Sequence, residues 1–350
     1  MILNDVVATV STKSRTNTTL PLVLTSLLCS TYKPSKLVIY DDNDAFKDPR
    51  ENEVLKNVLQ GLILAGINWY WNPGQRKGQI HNHEHARLNY DSEFIWRIDD
   101  DNILPANVLE NLYDEIQSDP KIGAVGPSIL DPKNKTYSSL ASNNMMDIDL
   151  GLNIQWNHYD KITPIEVEHL QGSTFLYRRA AATHGYNLKL SRVAHREETL
   201  FTYEMFRNGW KLIALCGLNT WHMRYGSGGI RDHNIKHLFD SDEQIFRNKL
   251  NEWNVTPYLY KVVYLDSGRG DHYAFKPVLE ELSQKYKGHK IIVGACYPDI
   301  FWDVSYPNAV VTTMSEVAGF LKPDDHNIYK FMAERRWKDS LTNAYRKMYL

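Results

Sequence analysis

Three consecutive carboxylates, Asp99, Asp100 and Asp101, follow the apolar run Phe94-Ile95-Trp96-Arg97-Ile98 and precede Asn102-Ile103-Leu104-Pro105. A short apolar run bounded by polar residues reads as a buried strand, so the acids stand at its carboxyl end, where open α/β sheets bind their ligands. Hard oxygen donors in such a place hold Mg²⁺ or Mn²⁺, usually with help from a substrate phosphate, which makes this a metal and diphosphate site in outline. A calcium loop is excluded by position. Counting from Asp99, Leu104 stands where the turn glycine belongs and Ile103 where a ligand belongs. A polar helix face is favoured over a zinc site in His81-Asn82-His83-Glu84-His85: His81 and His85 would share a helix face, but no HExxH motif forms and no third ligand stands nearby.

The elements that must position these acids alternate in type. Val6–Val10 reads as a buried strand, followed by a helix through Leu20, Leu24, Leu27 and Leu28. Lys36–Tyr40 is a second strand, ending in Asp41-Asp42. A helix over 51–64, a strand over 67–71, a Pro73-Gly74 turn and a polar helix from about Gly78 lead to the Phe94 strand. This βαβαβ series predicts an α/β, Rossmann-like fold, with a mostly parallel mixed sheet and helices on both faces. Its strand ends share one rim, which brings Asp42 beside the acidic triplet. Downstream, a helix starting at Glu197-Glu198 runs through Leu200, Met205 and Trp210, and a strand spans Lys211–Leu215. Past that strand stand His222 and the segment Gly226-Ser227-Gly228-Gly229, flanked by Arg224 and Arg231 and suited to a lid.

At 350 residues the chain exceeds what one hydrophobic core usually supports, and we divide it at 254/255. A net charge of −2 provides no basic field for gripping duplex phosphates, so a nucleic-acid partner is not favoured. Cys29, Cys216 and Cys296 are odd in number and widely spaced, which fits a reducing compartment better than a disulfide framework. No apolar run reaches the length of a membrane helix or signal peptide, and the chain reads as cytoplasmic. The tail, with Arg335, Arg336, Lys338, Arg346 and Lys347 among Trp337, Tyr345 and Tyr349, reads as a solvated terminal helix, with peripheral contact to an anionic membrane surface as its alternative.

The ordered set of strand-end residues resembles family 2 glycosyltransferases of the GT-A fold. It comprises Thr9 in the first strand, Asp41-Asp42, Arg76-Lys77 with Asn82, the DXD-type triplet Asp99-Asp100-Asp101, Gly172-Ser173-Thr174-Phe175 and Glu197-Glu198. The resemblance spans roughly residues 1 to 235 and departs from the family at Glu198, where an aspartate is commoner. It implies a nucleotide-sugar donor, UDP-linked by preference, held by Thr9, Ser11, Arg15, Asp42, Arg76, Lys77, Asn82, Asp99 and Asp100. Asp42 would accept from the base imide, and Arg76 or Lys77 would meet the diphosphate. Asp101, Asp99 and His222 would hold Mn²⁺ or Mg²⁺. Gly172, Ser173 and Glu197 would lie on the acceptor side, with Glu198 as the base that takes the acceptor proton in an inverting displacement.

The last hundred residues form a separate βαβ pattern. Tyr260–Leu265 and Lys290–Gly294 are strands, Gly268-Arg269-Gly270-Asp271 reads as a glycine turn, and 275–286 as a helix. The pattern resembles the first half of a heptosyltransferase-type GT-B enzyme, a Rossmann-like half-domain without the partner half that catalysis requires. The function expected is metal-dependent sugar transfer to a hydroxyl of a glycan or lipid-linked glycan. A hydroxymethylated base in DNA is the rival acceptor, and a nucleotide-sugar-binding protein whose catalysis has lapsed is the rival class.

Overall fold

A computed structural model describes residues 1–45, 48–131, 136–138, 141–142, 161–170, 172–230, 235–255, 259–266, 268–286, 289–303, 308–314, 343 and 346. Arg231 and the tail residues Arg335, Arg336, Trp337, Lys338, Tyr345, Lys347 and Tyr349 lie outside the described residues. The chain divides into two compact units, the first running to Val255. Among the described residues no helix is long and apolar enough to cross a membrane.

The first unit opens with β1 (Ile2–Thr12), α1 (Thr19–Leu28), β2 (Lys33–Asp41), α2 (Glu53–Leu64), β3 (Asn68–Pro73), α3 (Gln79–Asn89) and β4 (Phe94–Asp99). It continues through β5 (Asn102–Ile103), α4 (Val108–Ser118), β6 (Ile122–Asp131), β7 (Thr136–Ser138), β8 (Ala141–Ser142), β9 (Thr163–Val167), β10 (His169–Leu170) and β11 (Thr174–Arg178). It closes with α5 (Glu197–Arg207), β12 (Lys211–His222) and α6 (Lys236–Glu252). Among the described residues ten strands form one mixed sheet, whose main path is β3-β2-β1-β4-β11-β6-β12-β5. The first four strands on this path are parallel, as the βαβ connections require. The next, β11, runs antiparallel to both its neighbours.

Alternation along the strands sorts the core. Phe94, Trp96 and Ile98 of β4 pack with Val6, Ala8 and Val10 of β1 under Leu20, Leu24 and Leu27, which the helical period places on one face of α1. Ile95 points to the opposite face, into a cluster with Phe175, Tyr177, Phe201 and Met205. Arg97 shares that second face by parity and is 1% exposed, so it enters the interior as a charge that requires a partner. Helix α2 starts on Asn52, whose side chain accepts from the Leu55 amide at 2.9 Å. Helix α3 starts on Gly78 at φ +99°, where a Cβ would lie 2.3 Å from the Arg192 carbonyl oxygen, so only glycine fits.

Three boundaries differ from the sequence reading. Strand β12 runs to His222, seven residues beyond the expected Leu215, because a register shift between Leu215 and Asn219 lets it stay paired with β6 and then meet β5. Helix α5 ends at Arg207, leaving Trp210 outside it. In the second unit, β13 (Leu259–Leu265), α7 (Arg269–Lys285), β14 (His289–Ala295) and β15 (Ala309–Thr313) give a parallel sheet in the order β13-β14-β15. There the expected glycine turn is instead the first turn of α7, with Gly268 as its N-cap, so Gly270 and Asp271 are helical.

Candidate active site

The rim is assembled by register. Ser11 pairs with Asp99 across β1 and β4, Thr12 pairs with Asp41 across β1 and β2, and His222 pairs with Asn102 across β12 and β5. The last pairing, with the Met223 amide donating to the Asp101 carbonyl at 2.9 Å, carries His222 across the sheet to the acidic triplet. One ligand atom from each of Asp99, Asp101 and His222 falls within 4.8 Å of the others, the one such group among the described residues. Two carboxylates and an imidazole form a donor set that suits Mn²⁺, and Mg²⁺ with more water.

The three acids differ in environment. Asp101 has its Oδ1 3.2 Å from His222 Nε2, while its Oδ2 accepts from the Tyr225 amide at 3.1 Å and lies 3.1 Å from Arg15 Nη1. Burial opposes ionisation here, but His222, Arg15 and that amide outweigh it and hold the Asp101 carboxyl below its ordinary range. Asp100 turns the other way, accepting from Thr12 Oγ1 at 2.7 Å and from Arg15 Nη1 at 2.6 Å. Burial pushes its carboxyl up to about 6. Burial also raises Asp99, against the pull of Arg97 and His222.

Two cavities meet at this rim. The first, of about 280 Å³, is lined by Ser11, Asp42 and all three aspartates, with Lys13, Arg15, Arg192 and Arg224 as its cations. The second, of about 270 Å³, has Gly172, Ser173, Glu198, His195 and Arg196 in its wall. Gln79, Asp99, His222 and Arg224 line both. Residues 225–229 pack over the first cavity: Arg15 Nη2 donates to the Tyr225 carbonyl at 2.8 Å, and the Gly229 amide to the Lys13 carbonyl at 2.7 Å.

Several residues assigned to donor or acceptor from sequence lie elsewhere. Thr9 is fully buried, its Oγ1 3.4 Å from His83 Nδ1, because it sits two residues below the rim on the same strand. Asn82 is also buried and shapes the site from behind, donating to Ser11 Oγ at 2.9 Å and to Asp42 Oδ1 at 3.1 Å. Arg76 and Lys77 are exposed and line neither cavity. Arg76 takes a left-handed turn at φ +57°, with its amide donating to Asp42 Oδ1 at 2.7 Å, while the Gly78 amide donates to Asp42 Oδ2 at 3.1 Å. Both carboxylate oxygens of Asp42 thus already accept from backbone. Glu197 faces the interior instead of the acceptor cavity. It pairs with Arg97, both side chains 1% exposed, and accepts from Gln79 Nε2 at 3.0 Å. Removing one partner of such a buried pair typically costs about 3–5 kcal/mol.

Helix α6 supplies two residues that motif reading missed. Asp242, 0% exposed, accepts from the Ser191 amide at 2.6 Å, from Ser191 Oγ at 2.8 Å and from the His195 amide at 2.8 Å. Glu243 accepts from Arg196 Nε at 3.2 Å and lies 3.5 Å from His195 Nε2. Together they hold a loop in which Ala194 and Arg196 both take positive φ, a conformation that must be held by its surroundings. The only sequence signal is an Asp-Glu pair on a helix, which is common on solvated faces.

The pattern of the family described as Glycosyl transferase family 2 matches residues 9–185. No curated protein matches the chain in sequence. Among solved structures, GalNAc-T7 with UDP, GalNAc and Mn²⁺ superposes with a TM-score of 0.52 at 13% identity, over 95% of this chain and 57% of that one. S. aureus TarS 1–349 superposes with a TM-score of 0.44 at 15% identity, over 63% of this chain and 60% of that one. The chain therefore spans about three fifths of the length of each, and the likeness to GalNAc-T7 is one of fold.

Proposed function

The chain belongs to glycosyl transferase family 2, and from that premise we propose that it transfers a sugar from a nucleotide-sugar donor to a hydroxyl acceptor in a metal-dependent, inverting reaction. The observation that carries this reading is the Asp99–Asp101–His222 group at a wall shared by two cavities, one rich in cations and the other containing Glu198. The first cavity takes the donor. Lys13, Arg15, Arg192 and Arg224 are the cations placed to meet a diphosphate there, in the role first expected of Arg76 and Lys77. Asp99, Asp101 and His222 would hold Mn²⁺ or Mg²⁺, and such an ion would supply positive charge to offset the negative charge of the departing nucleoside diphosphate.

The second cavity takes the acceptor. Glu198 receives the hydroxyl proton as the acceptor oxygen bonds to the anomeric carbon and the bond from that carbon to the diphosphate oxygen breaks. It stands in the first turn of α5, at the end of the helix where the backbone amides point outward. A UDP-sugar is the donor to test first, UDP being the nucleotide named with GalNAc-T7. The acceptor we favour is a glycan or lipid-linked glycan. The second unit, whose βαβ pattern suggested half of a GT-B enzyme, would present an acceptor or partner and take no part in the chemistry.

The test is a nucleotide-sugar hydrolysis screen with and without Mn²⁺, on the natural protein and on Asp101→Asn. Hydrolysis should require Mn²⁺ and fall to background in the variant, since a neutral amide is a poor ligand for a hard cation. Near-normal activity of Asp101→Asn at limiting Mn²⁺ removes the metal assignment. Donor binding without turnover in the natural protein identifies a lapsed enzyme.

A further inference from the structure

Among the described residues Arg97 is the largest fully buried charged side chain, and its contacts join the two halves of the site. Its Nη2 lies 3.2 Å from Asp99 Oδ1 and also contacts Glu197 Oε1. Asp99 belongs to the group suited to a metal, and Glu197 immediately precedes Glu198 in α5. One nitrogen therefore ties the end of β4 to the first turn of the helix that carries the base.

The tie is stiff at both ends. Strand β4 is paired on both sides, to β1 and β11, and the guanidinium carbon sits 5.5 Å from the centre of the Phe175 ring. At the other end Glu197 also accepts from Gln79, the first residue of α3. Successive helical residues point about 100° apart, so fixing Glu197 toward Arg97 fixes the rotation of α5 and turns Glu198 to the second cavity. Arg196 at the N-cap makes no side-chain capping bond to α5 itself.

We propose that Arg97 is a positioning residue with two outputs: it aligns the Asp99 carboxylate for the cation, and through Glu197 it aims Glu198 at the acceptor hydroxyl. The second output rests on the function proposed above. The first does not, because it is read with the metal alone.

The test uses the full chain, and the two Arg97 variants leave the net charge of the site unchanged. Arg97→Lys keeps the charge but loses the planar fork. Arg97→Gln combined with Glu197→Gln removes one charge of each sign, does not strand Glu197 as a buried ion and serves if the lysine variant does not fold. Each is checked by circular dichroism and titrated with Mn²⁺ by calorimetry, without sugar. Outer partners of metal ligands typically account for 10–100-fold in affinity, and we expect Mn²⁺ to bind about tenfold more weakly. Glu197→Gln alone keeps the Arg97–Asp99 contact. It should bind Mn²⁺ as the natural protein does while kcat falls and donor KM holds. Natural Mn²⁺ affinity in a folded Arg97 variant overturns the first output, and natural kcat in a folded Glu197→Gln overturns the second. If Glu198→Gln itself leaves kcat unchanged, the assignment of the base fails instead, and the Mn²⁺ titration still decides the role of Arg97 at Asp99.

Discussion

Both units of this chain contain parallel strands with a helix following the first strand, but the strand ends they present are unlike. In the first unit β1, β2, β4 and β12 end in Thr12, Asp41, Asp99 and His222. In the second, β13, β14 and β15 end in Leu265, Ala295 and Thr313. Two pairs of charges near the second rim are closed on each other at the surface, Arg269 on Asp299 at 2.8 Å and Lys276 on Asp303. The second rim has His272 as well, but its Nδ1 is 3.0 Å from the Gly268 carbonyl and its Nε2 accepts from the Tyr297 amide at 3.3 Å, so both nitrogens serve the fold. A Rossmann-like rim is thus only an address. What distinguishes the first rim is a group of carboxylates and an imidazole close enough to share a cation, and among the described residues that group occurs once.

The largest effect that would break this contrast comes from Glu198. Glu198→Gln keeps size and hydrogen bonding but cannot take a proton, so kcat should fall by about 10²–10⁴ while donor affinity by calorimetry stays unchanged. Lost donor affinity with residual kcat would move Glu198 from chemistry to binding.

A smaller effect should follow from removing the second unit. A chain ending at Val255 should keep Mn²⁺-dependent donor hydrolysis, while transfer to the true acceptor weakens severalfold. If that shorter protein is folded by circular dichroism yet has lost hydrolysis, the rims act as one site and the contrast fails.

The smallest effect sharpens the contrast by testing what supports the first rim. His195, with Arg196 and Arg247, outweighs burial and holds the Glu243 carboxyl down at about 2. A carboxyl depressed by folding contributes stability above its unfolded value of 4.5, and that stability is lost as pH falls toward about 2. Glu243→Gln should therefore melt slightly lower at pH 7, with the difference vanishing across that acid window. Parallel melting curves at every pH would show that Glu243 does not hold the 191–196 loop.

What could be read from the sequence follows from how local each feature is. The acidic triplet is contiguous and ends an apolar run, so its place on the rim needed only the βαβ order. Thr9 lies below the rim because strand parity gives the face a side chain takes but not its depth, and Asn82, one turn into α3, is covered by the Asp42 and Ser11 side chains it donates to. Arg76 and Lys77 line neither cavity because the turn between β3 and α3 donates the Arg76 and Gly78 amides to Asp42 and sends both side chains to solvent. Arg97 and Glu197 meet across 100 positions, and no spacing rule links them. The one available sign was a charged residue inside an otherwise apolar strand. The glycines at 268 and 270 suggested a turn, but Gly268 caps a helix and Gly270 lies within it.

Arg15 grips Asp100 and Asp101 with Nη1 and the Tyr225 carbonyl with Nη2. The segment carrying that carbonyl fits closely over its neighbour, since a Cβ at Gly228 would lie 2.7 Å from the Ser14 carbonyl oxygen. Segment 225–229 cannot shift away from Ser14 without either drawing the guanidinium off the aspartates or breaking its bond to Tyr225. Access to the first cavity and the charge balance inside it are accordingly a single degree of freedom. A ligand that lifts this segment also changes the electrostatic field it enters.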